Sequence, residues 1–270
     1  MFKNCIKKEL LEELRTKRFL RITLLAISMV ILTALIIGIM ALVSKLEITM
    51  AGQDSDTITA IMQMFEPTYA TYSMYFGAFM MTYFTIICIV LNMSAISKEI
   101  TQNKWVVPIS AGILPETMIS AKLIVRAISV IVSEFVAMII HFLFAIILFD
   151  STPAFGIDNL LLSYLAILIF TAFMVVATIS INAISKKGWL SAMLPIVFLI
   201  VGTTTLESIL VGSTPMIAFT PFMFYELAIN TSLTLNAVHW ISASVSLVVV
   251  SAGLVTWAIL SSRVKPNTVD

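Results

Sequence analysis

Charge is scarce in this chain. Only 11% of its 270 residues are charged and 60% are hydrophobic, whereas a soluble domain carries about 25% charged residues. The two cysteines and two histidines show no spacing of metal or redox ligands. No G-x-x-x-x-G-K-[ST] segment is present, so the chain has no P-loop to bind a nucleotide. The basic clusters are thin and mixed with glutamate, which argues against nucleic-acid binding. These absences exclude a soluble domain, a metal centre and an ATPase site of its own.

Long apolar runs predict membrane-spanning helices. Each run is close to the about 20 residues that cross a hydrocarbon core of about 30 Å. We place six spans at about 22–43, 74–96, 125–149, 160–184, 189–211 and 238–260. The expected fold class is therefore an all-α membrane protein, with one six-helix transmembrane domain over 22–270.

The lysines and arginines indicate an orientation. Fifteen of the sixteen fall on one side of the predicted spans, and only Lys45 falls on the other. The clusters are Lys3–Arg21, Lys98–Arg126, Lys186–Lys187 and Arg263–Lys265. Short basic loops stay in the cytoplasm, so we expect both termini there.

The first 21 residues predict an amphipathic helix. Phe2, Ile6, Leu10 and Leu14 recur every four residues, and charged side chains fill the other faces. The segment is too charged to span a membrane, so we expect it along the cytoplasmic interface with its basic side chains toward headgroups. A solvated basic leader is the alternative.

Two further segments stand out. The cytoplasmic loop 97–122 should contain a helix start at Leu114-Pro115-Glu116, because proline is favoured at a first helical position. A segment over about 206–233 is apolar but broken by glycine and proline. A full crossing there would place the basic tail outside, so we expect a re-entrant or interfacial hairpin on the outer side. Glu207 and Glu226 flank it and are candidate gate residues.

The third span carries two ionisable residues, Glu134 and His141. They are seven residues apart, which places them on one helix face about 10.5 Å apart along the axis. Such residues inside a membrane are costly and often functional. They fit a proton relay or a polar cavity, or a pair satisfied by polar groups of neighbouring helices.

The whole arrangement resembles the membrane subunit of an ABC-2 type exporter, as in short bacterial permeases of antibiotic-peptide immunity or toxin export. The most specific local resemblance is Ile96-Ser97-Lys98-Glu99-Ile100, then Trp105, Pro108-Ile109-Ser110 and Ala121-Lys122-Leu123. No feature sorts the chain into a subfamily.

The resemblance implies a non-enzymatic subunit in a bacterial cell membrane. It implies a pathway formed with a second permease subunit, identical or related, and a separate cytoplasmic ATPase that carries the ATP and Mg²⁺. It also implies a coupling helix near 112–121 that contacts the ATPase, braced by the N-terminal helix. The candidate coupling residues are Lys98, Glu99, Pro108, Leu114, Pro115, Glu116 and Lys122.

The cargo is not encoded in a recognisable motif. The apolar, Met-rich interior favours an amphipathic peptide, a hydrophobic drug or a lipid-like molecule. Two other functions remain open at this point: a proton-coupled secondary transporter that uses Glu134 and His141, and a membrane assembly protein that transports nothing. The first would show repeats in its two halves, and the sequence has none.

Overall fold

The described part of the chain is helical apart from short turns and connections. A computed structural model describes residues 2–50, 68–149, 157–210, 220–229 and 237–264. Most of the predicted outer loop 44–73 lies outside these residues, as do 211–219 and 230–233 of the predicted re-entrant segment. No strand occurs among the described residues, which confirms the all-α fold class.

Eleven helices are numbered here in chain order over the described residues. The first six are α1 Phe2–Arg15, α2 Arg18–Met50, α3 Tyr69–Ala78, α4 Thr85–Asn92, α5 Ser97–Thr101 and α6 Val106–Ser110. The others are α7 Pro115–Phe149, α8 Ile157–Ser185, α9 Gly188–Leu210, α10 Met223–Ile229 and α11 Ala237–Val264. A π-helical segment, Phe79–Phe84, joins α3 to α4.

Five helical stretches in the described residues are long and apolar enough to cross a membrane. They are Arg18–Val43, Tyr69–Thr101, Pro115–Phe149, Leu160–Ser185 and Trp240–Ser262. The prediction of a multi-pass membrane protein is confirmed at this level. The predicted span 189–211 coincides with α9, Gly188–Leu210, which is not one of these five stretches, so the count of six stays a prediction.

Local sequence signals mark the start of α7 and the end of α6. Helix α7 begins at Pro115 with Glu116 in its first turn, where the sequence predicted a start. It then continues without a break into the third span, so 115–121 is the base of a long helix and not a separate short one. Two short helices, α5 and α6, precede it, and Gly112 ends α6 with a φ of +80°. A glycine suits this left-handed turn because it has no Cβ to clash.

The second span contains a feature that the sequence did not predict. Between α3 and α4 the backbone widens into a π-helix over Phe79–Phe84. The Thr85 hydroxyl donates to the Met80 carbonyl at 3.1 Å, five residues earlier. Such segments are rare and often occur at functional sites.

Helix α8 occupies the centre of the bundle. It packs against α4, α7, α9, α10 and α11, and it is the most buried of the five candidate spans. The last span is the least buried and lies at the periphery. Large apolar side chains on the outer faces of α2, α7, α9 and α11 are exposed, as expected where lipid replaces water around a bundle.

The N-terminal helix turns an acidic face toward the bundle. Its buried residues are Cys5, Glu9 and Glu13, at a spacing of four. The apolar residues Leu10 and Leu14 stay exposed. The predicted amphipathic helix therefore exists, but its contact with the rest of the protein is made by carboxylates and not by the apolar stripe.

Candidate functional site

A buried lysine joins the segments at one end of the bundle, where α1, α5 and α7 meet. Lys122, near the start of α7, has no exposed surface. Its ammonium group contacts Glu9 Oε2 at 2.8 Å and Glu99 Oε1 at 2.7 Å. Glu9 belongs to α1 and Glu99 to α5, so a single cation joins three segments that are far apart in sequence.

Trp105 fixes the orientation of the Glu99 carboxylate. Its indole N–H donates to Glu99 Oε2 at 2.9 Å, while the other oxygen accepts from Lys122. Both oxygens of Glu99 are therefore satisfied, as a buried carboxylate requires. Trp105 directly precedes α6, so this bond also sets where α6 starts.

A second ion pair lies beside the first. Arg126, one helical turn after Lys122, contacts Glu13 Oε1 at 2.6 Å. Arg18 approaches the same oxygen at 3.9 Å and donates to Asn92 Oδ1 at 2.8 Å. Burial raises the pKa of Glu13 above its ordinary value of 4.5, although the charge of Arg126 acts in the opposite direction.

We call these six side chains, Glu9, Glu13, Arg18, Glu99, Lys122 and Arg126, the ion cluster. It contains three carboxylates and three cations, so its formal charge balances. Burying an unpaired charge costs several kcal/mol of desolvation free energy, and an opposite charge in contact offsets much of that cost. The ion cluster therefore fixes the position of α1 and of the 97–105 connection on the base of α7.

The other end of the connection is tied to the central helix. Asn182, buried in α8, accepts from the backbone N–H groups of Ile96 and Ser97 at 2.8 Å and 2.9 Å. Its amide also donates to the Ser97 hydroxyl at 3.2 Å. Asn182 thereby holds the start of α5 on α8. Glu99, two residues after Ser97, is held on α7 by Lys122.

This internal bonding leaves an apolar surface at the tip of the connection. Val106, Val107 and Ile109 of α6 and Leu114 after it are exposed, and Val107 is 74% exposed. We call these four residues the apolar tip. It lies on the side of the membrane that the charge distribution predicts to be cytoplasmic, where water and not lipid would otherwise cover it.

The predicted coupling residues divide into two groups. Lys98 is exposed, as is Leu114, and Pro108, Pro115 and Glu116 are partly exposed around the apolar tip. Glu99 and Lys122 are buried and bonded to each other. In this structure those two side chains position the connection from within and do not lie on its surface.

Sequence reasoning missed the partners of Lys122, but a signal was present. Glu9 and Glu13 are four residues apart on α1, and Lys122 and Arg126 are four residues apart on α7. Residues four apart share a helix face. Two acidic and two basic side chains at the same spacing therefore form a complementary pair of faces.

The acidic residues of this region also have a spacing that suits a metal ion. Carboxylate oxygens of Glu9, Glu12 and Glu99 lie within 4.8 Å of one another. Two of the three carboxylates already bind the Lys122 ammonium, which supplies the positive charge at this point.

Glu134 lies inside the bundle on the third span. It is fully buried, and neither carboxyl oxygen makes a hydrogen bond of normal geometry. The Thr171 hydroxyl of α8 and the Cys88 thiol of α4 lie near it. Thr171 also shares a hydrogen bond with Thr85 at 3.2 Å, so Glu134 adjoins a small polar patch between α4, α7 and α8.

His141, two turns further along α7, lies among aromatic rings. Its ring stacks on Tyr72 and Phe76, with centroid distances of 4.3 Å and 4.0 Å. Its Nδ1 shares a hydrogen bond of 2.5 Å with the Tyr164 hydroxyl. Among the described residues, Glu134 and His141 have different neighbours, so they lie in separate environments on one helix face.

In the predicted re-entrant segment, 206–210 form the end of α9, and 220–229 contain the short buried helix α10. Phe224 and Ala228 of α10 have no exposed surface, and the helix packs on α3 and α8. Tyr225 shares a hydrogen bond of 3.1 Å with Thr82 in the π-helical segment. Glu226 is partly exposed, and the side chain of Glu207 lies outside the described residues.

No protein-family model matches the chain, and no curated protein matches its sequence. Its function must therefore be inferred from its own residues.

Proposed function

We propose that the chain is the transmembrane subunit of an ATP-driven exporter of the ABC-2 type. In this proposal a separate cytoplasmic ATPase binds the 97–122 connection, and two permease subunits form the substrate pathway between them. The cargo would be an amphipathic peptide, a hydrophobic drug or a lipid-like molecule. The observation that carries the proposal is the apolar tip, exposed at the end of a connection that the ion cluster and Asn182 hold in place.

ATP-driven transport requires that movement of the ATPase reach the membrane-spanning helices. An exposed apolar patch on a cytoplasmic loop favours burial by a protein partner. Movement of that partner can shift a two-state helical bundle only through a stiff connection. The connection here is bonded to α7 through Lys122 and to α8 through Asn182. A displacement of α6 would therefore be transmitted to two spans of the bundle.

The chain's lack of a P-loop supports an external energy source. With no nucleotide site of its own, ATP-driven transport requires another subunit. The buried helix α10 and its Tyr225–Thr82 bond would close the pathway on the outer side, and Glu226 together with Glu207 remain the proposed gate residues there.

Co-purification tests the proposal. The full chain, extracted from its native membrane in mild detergent, should retain an ATPase whose peptides contain a P-loop. Val107→Asp with Ile109→Asp should abolish this retention, because two charges on the apolar tip would have to be desolvated on binding. Gln102→Asp is the matched control, because it adds a charge to an exposed position of the same connection and should keep the ATPase.

Two results would contradict the exporter. One is a transport-active particle without any nucleotide-hydrolysing subunit. The other is equal ATPase retention by the Val107→Asp/Ile109→Asp variant and the wild type.

The second candidate function is proton-coupled transport, and the buried Glu134 favours it. A carboxyl group with no hydrogen bond of normal geometry inside a membrane bundle is a position where a proton can bind and leave. In this case Glu134→Gln should abolish transport while ATPase retention and ATP turnover stay at the wild-type level. If the chain is instead the exporter subunit, transport and ATP turnover should change together in Glu134→Gln, because one drives the other.

A further inference from the structure

A basic groove lies on the outward face of the N-terminal helix. It has a volume of about 740 Å³ between α1 and the turn that follows α5. Its cationic lining consists of Lys7, Lys8, Arg15 and Lys104, against the single carboxylate of Glu12. All four cations are exposed, and Glu12 offsets only Lys104, at 3.9 Å. The groove therefore presents a net positive charge to a ligand.

The length of α7 places this groove near the membrane surface. Arg126 lies 23 residues before Phe149, the last residue of α7, which corresponds to about 34 Å along the helix axis. A hydrocarbon core is about 30 Å thick, with headgroup layers of several ångströms on each side. If α7 crosses the core up to Phe149, Arg126 lies at the level of the inner headgroups. The Arg126–Glu13 pair then places α1 at the same level.

The side of α1 next to the groove is apolar. Leu10 and Leu14 are 49% and 57% exposed, and they lie on the same helix as Lys7 and Arg15. A helix with a cationic face beside an apolar face is typical of the membrane interface, where the two faces meet phosphates and acyl chains.

We propose that the basic groove binds the phosphate of an anionic phospholipid headgroup of the inner leaflet. Lysine and arginine donate charge-assisted hydrogen bonds to phosphate oxygens, and Leu10 with Leu14 would contact the acyl chains of the bound lipid. This inference depends on the membrane position of the chain and not on the proposed ATPase.

The apolar neighbours favour a lipid over an acidic protein surface. A water-soluble acidic partner would neutralise the cations but leave Leu10 and Leu14 in water. One anionic lipid satisfies both groups. The surface best suited to a protein partner is the apolar tip, which is made of different residues.

Native mass spectrometry of the full-length protein in detergent tests this binding. The protein is mixed with equal amounts of phosphatidylglycerol and phosphatidylcholine, which have similar acyl chains and differ in headgroup charge. We expect the wild type to retain phosphatidylglycerol about tenfold over phosphatidylcholine. One cation near an anionic surface contributes on the order of fivefold, so the four groove cations can account for all of a tenfold preference. Replacing Lys7, Lys8, Arg15 and Lys104 by glutamine should therefore reduce the preference to less than about twofold.

A matched variant separates the groove from overall charge. Lys3, Lys17, Lys186 and Lys187 are exposed and do not line the groove. Replacing these four by glutamine removes the same charge and should keep the wild-type preference. Replacing Lys7, Lys8 and Lys104 by arginine should also keep it, which shows that loss in the glutamine variant is not misfolding.

Several results would overturn the proposal. Equal binding of both lipids by the wild type is one such result, and loss of the preference by both glutamine variants is another. Displacement of the lipid by an equal concentration of inorganic phosphate would indicate a site for a free anion. A groove variant that keeps its lipid preference but no longer retains the ATPase would assign the groove to a protein partner.

Discussion

Lys122 is the residue on which the packing of α1 and α5 against α7 depends most directly. Within the ion cluster, its ammonium group joins Glu9 of α1 to Glu99 of α5. A cation in this position does not add stability compared with an apolar core of the same shape. It does specify which segments lie together, because removing it leaves two carboxylates buried without a partner.

We expect Lys122→Met to lower the free energy of unfolding by about 3–5 kcal/mol, the usual cost of breaking a buried ion pair. Unfolding in detergent micelles, followed by circular dichroism, measures the change. Methionine has a similar volume, so the loss comes from the unpaired carboxylates and not from a cavity.

Two further variants make this expectation specific. Combining Lys122→Met with Glu9→Gln and Glu99→Gln should restore much of the stability, since the buried charges are then gone. Lys104→Met breaks only the exposed pair with Glu12 at 3.9 Å and should cost about 0–1 kcal/mol. Equal losses for Lys122→Met and Lys104→Met would refute the role of Lys122.

Glu13 should make stability depend on pH. Because burial raises its pKa in the folded protein above the ordinary value of 4.5, the folded chain binds this proton more strongly than the unfolded chain does. The associated stability is fully present below the ordinary value and is lost as the pH rises through the raised pKa.

The comparison with Glu13→Gln isolates this effect from the other carboxylates. Relative to that variant, the wild type should lose free energy of unfolding as the pH rises above about 4.5. Denaturant unfolding of both proteins at several pH values measures the difference. A relative gain in wild-type stability over the same range would mean that the attraction of Arg126 exceeds the effect of burial.

At the scale of elements, the contact between α9 and the segment before α10 is unusually close. A Cβ atom at Gly202 would lie 1.8 Å from Cζ of Phe222. The Phe222 ring itself packs against Phe198 and Phe170, with centroid distances of 4.7 Å and 6.0 Å. The glycine therefore gives the ring the space that anchors α10 inside the bundle.

Gly202→Ala should displace the ring and lower the free energy of unfolding by about 1–3 kcal/mol, as overpacking in a core usually does. The same unfolding assay measures it, and loss of the Tyr225–Thr82 bond should make Tyr225 more accessible to solvent. In a Phe222→Ala background the added methyl group has room, so the further effect of Gly202→Ala should be close to zero. A strictly additive pair would contradict the contact.

How far the sequence predicts these elements depends on what stabilises each one. The long spans follow from apolar runs, and the start of α7 follows from Pro115, because both signals are local. The π-helical segment has no such signal: it is accompanied by the Thr85–Met80 hydrogen bond and by contacts with α2 and α8. The inward acidic face of α1 was readable only together with Lys122 and Arg126, which lie more than 100 residues away. Pairings of that kind are set by tertiary structure, and a single sequence does not rank them.

For the whole molecule, the exposure of the spans separates two environments. Helix α8 is covered by other helices on most sides, whereas α11 has a mostly exposed apolar surface. The bilayer can cover such a surface without any protein contact. A second copy of the chain could also cover it. The ion cluster and the basic groove lie together at one end of the bundle, on α1, α5 and α7 and the connection after α5.

This polarity leads to a topological prediction about the ends of the chain. An even number of crossings places both ends on one side, and the basic clusters place that side in the cytoplasm. Single cysteines at Lys3 or Thr268, in a background with Cys5→Ser and Cys88→Ser, should react with a membrane-impermeant maleimide only after the cells are permeabilised. A cysteine at Gln53, in the predicted outer loop, is the control and should react in intact cells. Labelling of Thr268→Cys in intact cells, with Lys3→Cys protected, would mean an odd number of crossings. The basic tail would then lie outside, and the orientation on which the ATPase-facing connection depends would be wrong.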